Sequence, residues 1–332
     1  MILPWILSGL GLVILLLAGD ALVKGAVNLS LRFGVPALII SLTIVAFGTS
    51  APELLISIRA ILDGVPSLAL GNVVGSNTAN VLLVLGLPAL LATMHTSEHN
   101  TRKTFRFMLV ATLVFIGLGV RGVYDWISGL LLLAMLAFVL TDAMRQARCH
   151  RRAGKAERAA AVAAAAEDQD FCTEEIEGAD PDMKMWRILA YLVAGLVGLP
   201  LGAELLVTNA TLIAETYGVS DTVIGLTLVA VGTSLPELAT TVMAALRRQA
   251  DVALGNVIGS NMFNLLGIIG VATMVGPIPV DPQFLTFDFW VMLASALLLL
   301  PFVYFGRDIT RIWGVILTVL YVAYVLVVLF CI

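Results

Sequence analysis

Apolar residues fill this chain in long blocks, and its polar positions are gathered into short gaps between them. A helix needs about 20 consecutive apolar residues to cross the hydrocarbon core of a bilayer. Ten such blocks can be marked, at roughly 4–30, 36–62, 68–94, 105–121, 124–144, 187–214, 219–246, 252–275, 284–305 and 309–330. The expected fold class is all-α and integral to a membrane, with ten transmembrane helices. Only Arg121 to Tyr124 separate the fourth block from the fifth. One longer polar stretch interrupts the series: it opens basic after residue 144, passes through an alanine run and closes acidic. It divides the chain into a first unit (1–144), a cytoplasmic linker (145–186) and a second unit (187–332).

The two units share a sequence. A shift of 184 positions lays Leu42–Gly86 on the second unit with 23 identities in 45 positions, which is internal duplication. FGTSAPELLIS and ALGNVVGSNTAN in the first copy become VGTSLPELATT and ALGNVIGSNMFN in the second. The same shift matches Asp20 with Glu204, a pair expected to make local contacts rather than line a pathway.

Composition excludes a soluble domain: 60% of the 332 residues are hydrophobic, 13% are charged, and mean hydropathy is +1.00. The net charge of −4 says little, but the placement of charge says more. With the N-terminus outside, 17 of the 19 Lys and Arg residues fall on the cytoplasmic side, leaving only Arg59 and Arg121 outside. Both termini are then outside. An odd number of spans per unit inserts the second upside down relative to the first, giving two inverted five-helix repeats. Secondary transporters are built this way, with a site at the midplane. The first block lacks a basic leader and a cleavage site, so it is expected to be a retained span.

The basic part of the linker is expected to meet anionic headgroups. Its acidic part fails as a calcium loop, because Thr173 stands where a loop starting at Asp168 needs glycine. Cys149, Cys172 and Cys331 form no disulfide or zinc pattern. His95, His99 and His150 lie outside the spans, so no histidine relay or metal triad is expected within them.

Each copy of the repeat sets one glutamate, Glu53 or Glu237, inside an apolar span with no Lys or Arg in its own helical turn. A charge there costs about 2.5–3.5 kcal/mol on insertion scales, which marks it as functional. Thr49, Ser50, Glu53 and Ser57 share a helical face, as do Thr233, Ser234, Glu237 and Thr241. Pro52 and Pro236 lack an N–H, so the carbonyls of Gly48 and Gly232 lose their helical partner. Carboxylates, hydroxyls and free carbonyls are what hard cations such as Ca²⁺ and Na⁺ coordinate. The absence of Cys and His argues against zinc or copper.

In the following spans, Ser76, Asn80, Ser260 and Asn264 are expected to contact the ion, while Asn72 and Asn256 are expected to tie helices together. Two carboxylates cannot both stay bare in a low dielectric. One divalent cation, two monovalent cations or two protons would neutralise them, and these loads exclude one another. Competition of this kind at one site is the minimal recipe for an antiporter; a closed site of two carboxylates argues against a channel. A hydrolase built on Ser50 or Ser234 would lack a His or Lys base.

GTSAPE with GNVVGSN, and GTSLPE with GNVIGSN, resemble the two α-repeats of the calcium/cation antiporter superfamily, especially its prokaryotic sodium/calcium exchanger branch. The resemblance covers both units and implies ten spans arranged five plus five. It implies that Glu53 and Glu237 are ligands shared by Ca²⁺ and Na⁺, and that Thr49, Ser50, Thr233, Ser234, Ser76 and Ser260 add oxygens. It further implies backbone ligands at Ala46 and Ala230, and first and sixth spans that slide across the rest. Several relatives, including the potassium-dependent branch, carry Asp where this chain has Asn264, which argues against potassium dependence.

The expected function is secondary active exchange of Na⁺ for Ca²⁺ by alternating access, with H⁺/Ca²⁺ exchange at the same glutamates as the alternative. No enzymatic activity and no cofactor beyond the transported ions are expected. Expected partners are calcium and sodium ions, protons under the alternative, and membrane lipid, with no nucleic acid. The chain is expected to act as a monomer in the plasma membrane, which is the inner membrane in a Gram-negative cell.

Overall fold

The apolar blocks resolve into helices joined by tight turns. The computed structural model describes residues 2–94, 98–164, 180, 182–217 and 230–330. Its first unit holds α1 (Ile2–Phe33), α2 (Ala37–Thr49), α3 (Ala51–Leu62), α4 (Pro66–Leu91), α5 (Glu98–Gly119) and α6 (Trp126–Ala164). The second holds α7 (Met185–Thr216), α8 (Ala230–Thr233), α9 (Leu235–Leu246), α10 (Ala250–Val275), α11 (Phe284–Phe305) and α12 (Arg311–Phe330).

Among the described residues, seven helices are long and apolar enough to cross a membrane, or eight if α2 and α3 make one span bent by 41°. That is fewer than the ten expected. Helix α5 coincides with the fourth expected span but opens with Arg102, Lys103 and Arg106, which shortens its apolar part. The start of the seventh expected span, 219–229, lies outside the described residues, as do His95, Cys172, Cys331 and the acidic linker segment with Thr173. The side chains of His99 and His150 also lie outside them. Helix α6 runs on to Ala164, well past the expected end at 144. The residues that extend it are mostly Ala, Arg, Lys and Glu, which cost least in a helix.

Helices α4 and α10 form the centre: 83% of the apolar window of each is buried, against 28% for α6 and 17% for α12. Both are rich in small residues, so backbones can approach closely. A Cβ at Gly255 would meet the Leu38 carbonyl at 2.9 Å, and one at Gly259 the Leu42 carbonyl at 2.7 Å, so α10 lies directly on α2. Helices α1 and α7 pack on each other in the same way. A Cβ at Gly11 would sit 2.6 Å from the Leu206 nitrogen, and one at Gly202 2.9 Å from the Leu15 nitrogen. Outside the helices, β1 (Val123–Tyr124) pairs antiparallel with β2 (Ile278–Pro279), joining the two units.

The duplication carries one local conflict. Helices α3 and α9 both end in a left-handed residue, Gly64 (φ 77°) in one copy and Arg248 (φ 55°) in the other. Each is followed by the same terminal hydrogen bond, from Val65 N to Ala60 O at 2.8 Å in the first copy and from Gln249 N to Ala244 O at 2.8 Å in the second. A side chain in this conformation costs roughly 1 kcal/mol. Arg248→Gly is therefore expected to raise the melting temperature in detergent by a few degrees; an unchanged or lower value would show that the turn is not strained.

Candidate functional site

Helix α2 widens into a π-turn at Ser41–Val45, resumes at Ala46 and stops after Thr49. Ser50 leaves helical geometry (φ −86°, ψ 6°), and Pro52 opens α3. The second copy repeats the break: Ser234 (φ −90°, ψ 4°) separates α8 from α9, with Pro236 in the first turn. Proline suits that position because its missing N–H would have had no helical partner there. Glu53 and Glu237 thus lie in the first turns of helices that start within a break, where the positive end of the helix dipole favours an anion.

Both glutamates are completely buried. None of the ion pairs among the described residues involves either. The Ser50 hydroxyl, three positions before Glu53, donates to Glu237 Oε1 at 3.0 Å, so the break in one copy reaches the acid of the other. Thr49 Oγ1 lies 3.3 Å from the Ala46 carbonyl, 3.4 Å from Asn256 Oδ1 and 3.5 Å from Ser260 Oγ. This links Thr49, Ala46 and Ser260 across α2 and α10.

Several buried polar atoms at the site have no partner: both carboxylate oxygens of Glu53, Glu237 Oε2, Ser234 Oγ, Asn80 Oδ1, and Oδ1 and Nδ2 of Asn264. Leaving a buried polar atom unpaired costs about 1–3 kcal/mol. All of these except the Asn264 amide nitrogen are oxygens that a cation could take. Ser76 is buried on α4, Thr233 is half-buried at the end of α8, and Ala230 begins α8 with its side chain outside the described residues.

Asn72 donates to the Glu53 carbonyl at 3.2 Å and to Ser57 Oγ at 3.1 Å. Asn256 donates to the Glu237 carbonyl at 3.4 Å and to Thr241 Oγ1 at 3.3 Å. Each therefore ties the glutamate's helix to the central one, as expected. Asn77 and Asn261 stand in the repeated motif, but sequence reasoning gave neither a role. Asn80 Nδ2 donates to Asn261 Oδ1 at 3.1 Å, and Asn261 Nδ2 reaches the Asn77 carbonyl at 3.4 Å. The amides of Asn77 and Asn261 also meet Met292 Sδ at 3.8 Å and Met108 Sδ at 3.9 Å. The 184-residue shift that pairs Asn77 with Asn261 and Met108 with Met292 was the available signal. Asp20 turns away from the site, pairing with Lys24 at 2.9 Å and with Arg247, while Glu204 is exposed.

A family model described as sodium/calcium exchanger protein matches residues 3–143 and 187–330. The chain is 36% identical over 318 residues to the putative antiporter CaxA of Alkalimonas amylolytica, covering 95% of each chain. It is 36% identical over 346 residues to the sodium/calcium exchanger MaX1 of Methanosarcina acetivorans, covering 97% of each. A solved structure of the sodium-calcium exchanger NCX_Mj, soaked with Na⁺ and Ca²⁺, matches with a TM-score of 0.79 and 30% identity over 97% of both chains.

Proposed function

The chain belongs to the sodium/calcium exchanger family, and on that premise we propose that it exchanges Na⁺ for Ca²⁺ by alternating access at the pocket between Glu53 and Glu237. It is a membrane-embedded cation/calcium antiporter and not an enzyme. The observation that carries the reading is a pair of fully buried carboxylates without a basic partner among the described residues, three of whose four oxygens have no donor. An incoming cation satisfies those oxygens and removes the repulsion between the two acids. Because Ca²⁺ and two Na⁺ neutralise the same charge, each displaces the other, and a sodium gradient can drive calcium.

In this reading the ligands are Glu53 and Glu237, with Thr49, Ser50, Ser76 and Asn80 from one unit and Thr233, Ser234, Ser260 and Asn264 from the other. The carbonyls of Ala46 and Ala230 complete the set. The ten spans form two inverted five-helix repeats, and the packed α1–α7 pair slides over the remainder to change access. Both termini face outside. This orientation leaves Arg59 and Arg121 as the outer cations, each beside an acid, Asp63 at 2.9 Å and Asp125 at 3.4 Å. The basic start of the linker then meets lipid headgroups, and the chain works as a monomer.

The test is calcium uptake by vesicles containing the purified protein, with and without an outward sodium gradient. Uptake that follows the sodium gradient is the expected result; uptake indifferent to sodium but driven by a proton gradient would replace it with H⁺/Ca²⁺ exchange. Protons compete for the same acids, so uptake is expected to fall as the medium is acidified from about pH 8 to about pH 5. A flat profile over that range would remove protons from the site.

A further inference from the structure

Within each repeat the hydrogen bonds match, Asn72 and Asn256 making the same two bonds 184 positions apart, and across the repeats Asn77 and Asn261 make the same thioether contact in both senses. Between the repeats, three bonds are made in one sense only, one of them from Asn261 Nδ2 to the Asn77 carbonyl at 3.4 Å. Ser50 donates to Glu237, but the counterpart atoms, Ser234 Oγ and both carboxylate oxygens of Glu53, are buried without partners. Asn80 donates to Asn261, but the counterpart atoms, Asn264 Nδ2 and Asn77 Oδ1, are likewise buried without partners. The missing donors and acceptors are those that the 184-residue relation would join.

At the rim the one-sidedness is fixed by residue type. Asp20 on α1 is bridged to Arg247 at the end of α9. The counterparts are Glu204, which is exposed, and Asp63, which pairs with its neighbour Arg59. These two acids cannot form the equivalent bridge. In the orientation proposed above Arg247 is cytoplasmic, so in this conformation the Asp20–Arg247 bridge ties α1 to α9 on that side.

We propose that Asn77 and Asn261 are reciprocal positioning residues: Asn261 holds the Asn80 amide in this conformation, and Asn77 holds the Asn264 amide in the oppositely facing one. Ser50 and Ser234 exchange their glutamates in the same step. The proposal rests on the inverted-repeat transport reading above. Opposite halves of one hydrogen-bond set are satisfied in turn, so each conformation leaves a different amide and carboxylate free for the ion. Asn261→Ala removes the bond from the Asn80 amide and the longer one to the Asn77 carbonyl, both present only in the cytoplasm-closed state, and Asn77→Ala removes their counterparts in the cytoplasm-open state. Their thioether contacts are equivalent and cancel in the comparison.

The experiment places nitroxide labels on Leu31→Cys and Leu246→Cys, exposed residues at the cytoplasmic ends of α1 and α9, with Cys149, Cys172 and Cys331 replaced. The distribution of label distances reports whether the latch is open, with no need for ion flux. Asn261→Ala is expected to move the open-to-closed ratio up about fivefold, the factor set by one net hydrogen bond, and Asn77→Ala down by a similar factor. The double variant should return close to the parent. Shifts in the same direction, or none, would overturn the proposal. Should alanine prevent folding, Asn261→Leu and Asn77→Leu keep the volume and carry the same expectation. Sodium-driven calcium uptake by the unlabelled parent tests the transport reading separately, so failure of either remains distinguishable.

Discussion

Glu53→Gln or Glu237→Gln is expected to reduce sodium-driven calcium uptake roughly a hundredfold or more, to the leak of empty vesicles, while the protein remains folded. Removing one charged member of a buried ionic cluster costs about 3–5 kcal/mol, and the loaded site is such a cluster. Glutamine keeps the shape and one oxygen but cannot balance a divalent ion. The stability readout has the opposite sign. Without ions, the parent buries two acids with three unpartnered oxygens, so the neutral variants are expected to melt no lower than the parent. Calcium should raise the melting temperature of the parent through preferential binding to the folded state, and that rise should vanish in both variants. Full uptake in either variant, or an intact calcium-dependent rise, would contradict the assignment.

Gly259→Val is expected to abolish uptake without touching a carboxylate. The Cβ alone would lie 2.7 Å from the Ala46 Cβ, 2.7 Å from the Leu42 carbonyl oxygen and 2.9 Å from the Leu42 Cα. Two of these three atoms are backbone, so relief requires α10 to move away from α2. The contacts from Thr49 to Asn256 and Ser260 cross that same interface at 3.4 and 3.5 Å, already near the limit of a hydrogen bond, and would be lost. Overpacking of this kind costs about 1–3 kcal/mol, so a lower melting temperature should accompany the loss of uptake. Gly117→Val is the control: its Cβ would meet nothing within 4 Å, and near-parental uptake is expected. Equal behaviour of the two variants would show that the α2–α10 approach does not shape the site.

The span pattern, the duplicated blocks and the buried glutamates were legible because each is a property of the chain read in one dimension. A run of apolar residues must leave water, and an acid inside it must meet a counter-charge. Prolines 52 and 236 likewise marked carbonyls that lose a helical partner, since a missing N–H acts on its own segment. The span count was less legible. The charges opening α5, the bend at Ser50 and the long extension of α6 depend on how helices continue past their apolar runs.

The sequence by itself determined a membrane-embedded, duplicated chain with one acid per copy, for those features follow from local chemistry and the repeat. Only the tertiary structure decided that Asp20 pairs with Arg247, that Ser50 reaches the glutamate of the other copy, and that Asn80 rather than Asn264 is held. For the Ser50 and Asn80 bonds, near-identical copies treat the two senses alike, so the blocks themselves contain nothing to choose between them; the rim bridge differs, because its counterpart positions both hold acids. A single conformation of a two-faced carrier cannot be symmetric, and that asymmetry arises only when the copies pack against each other.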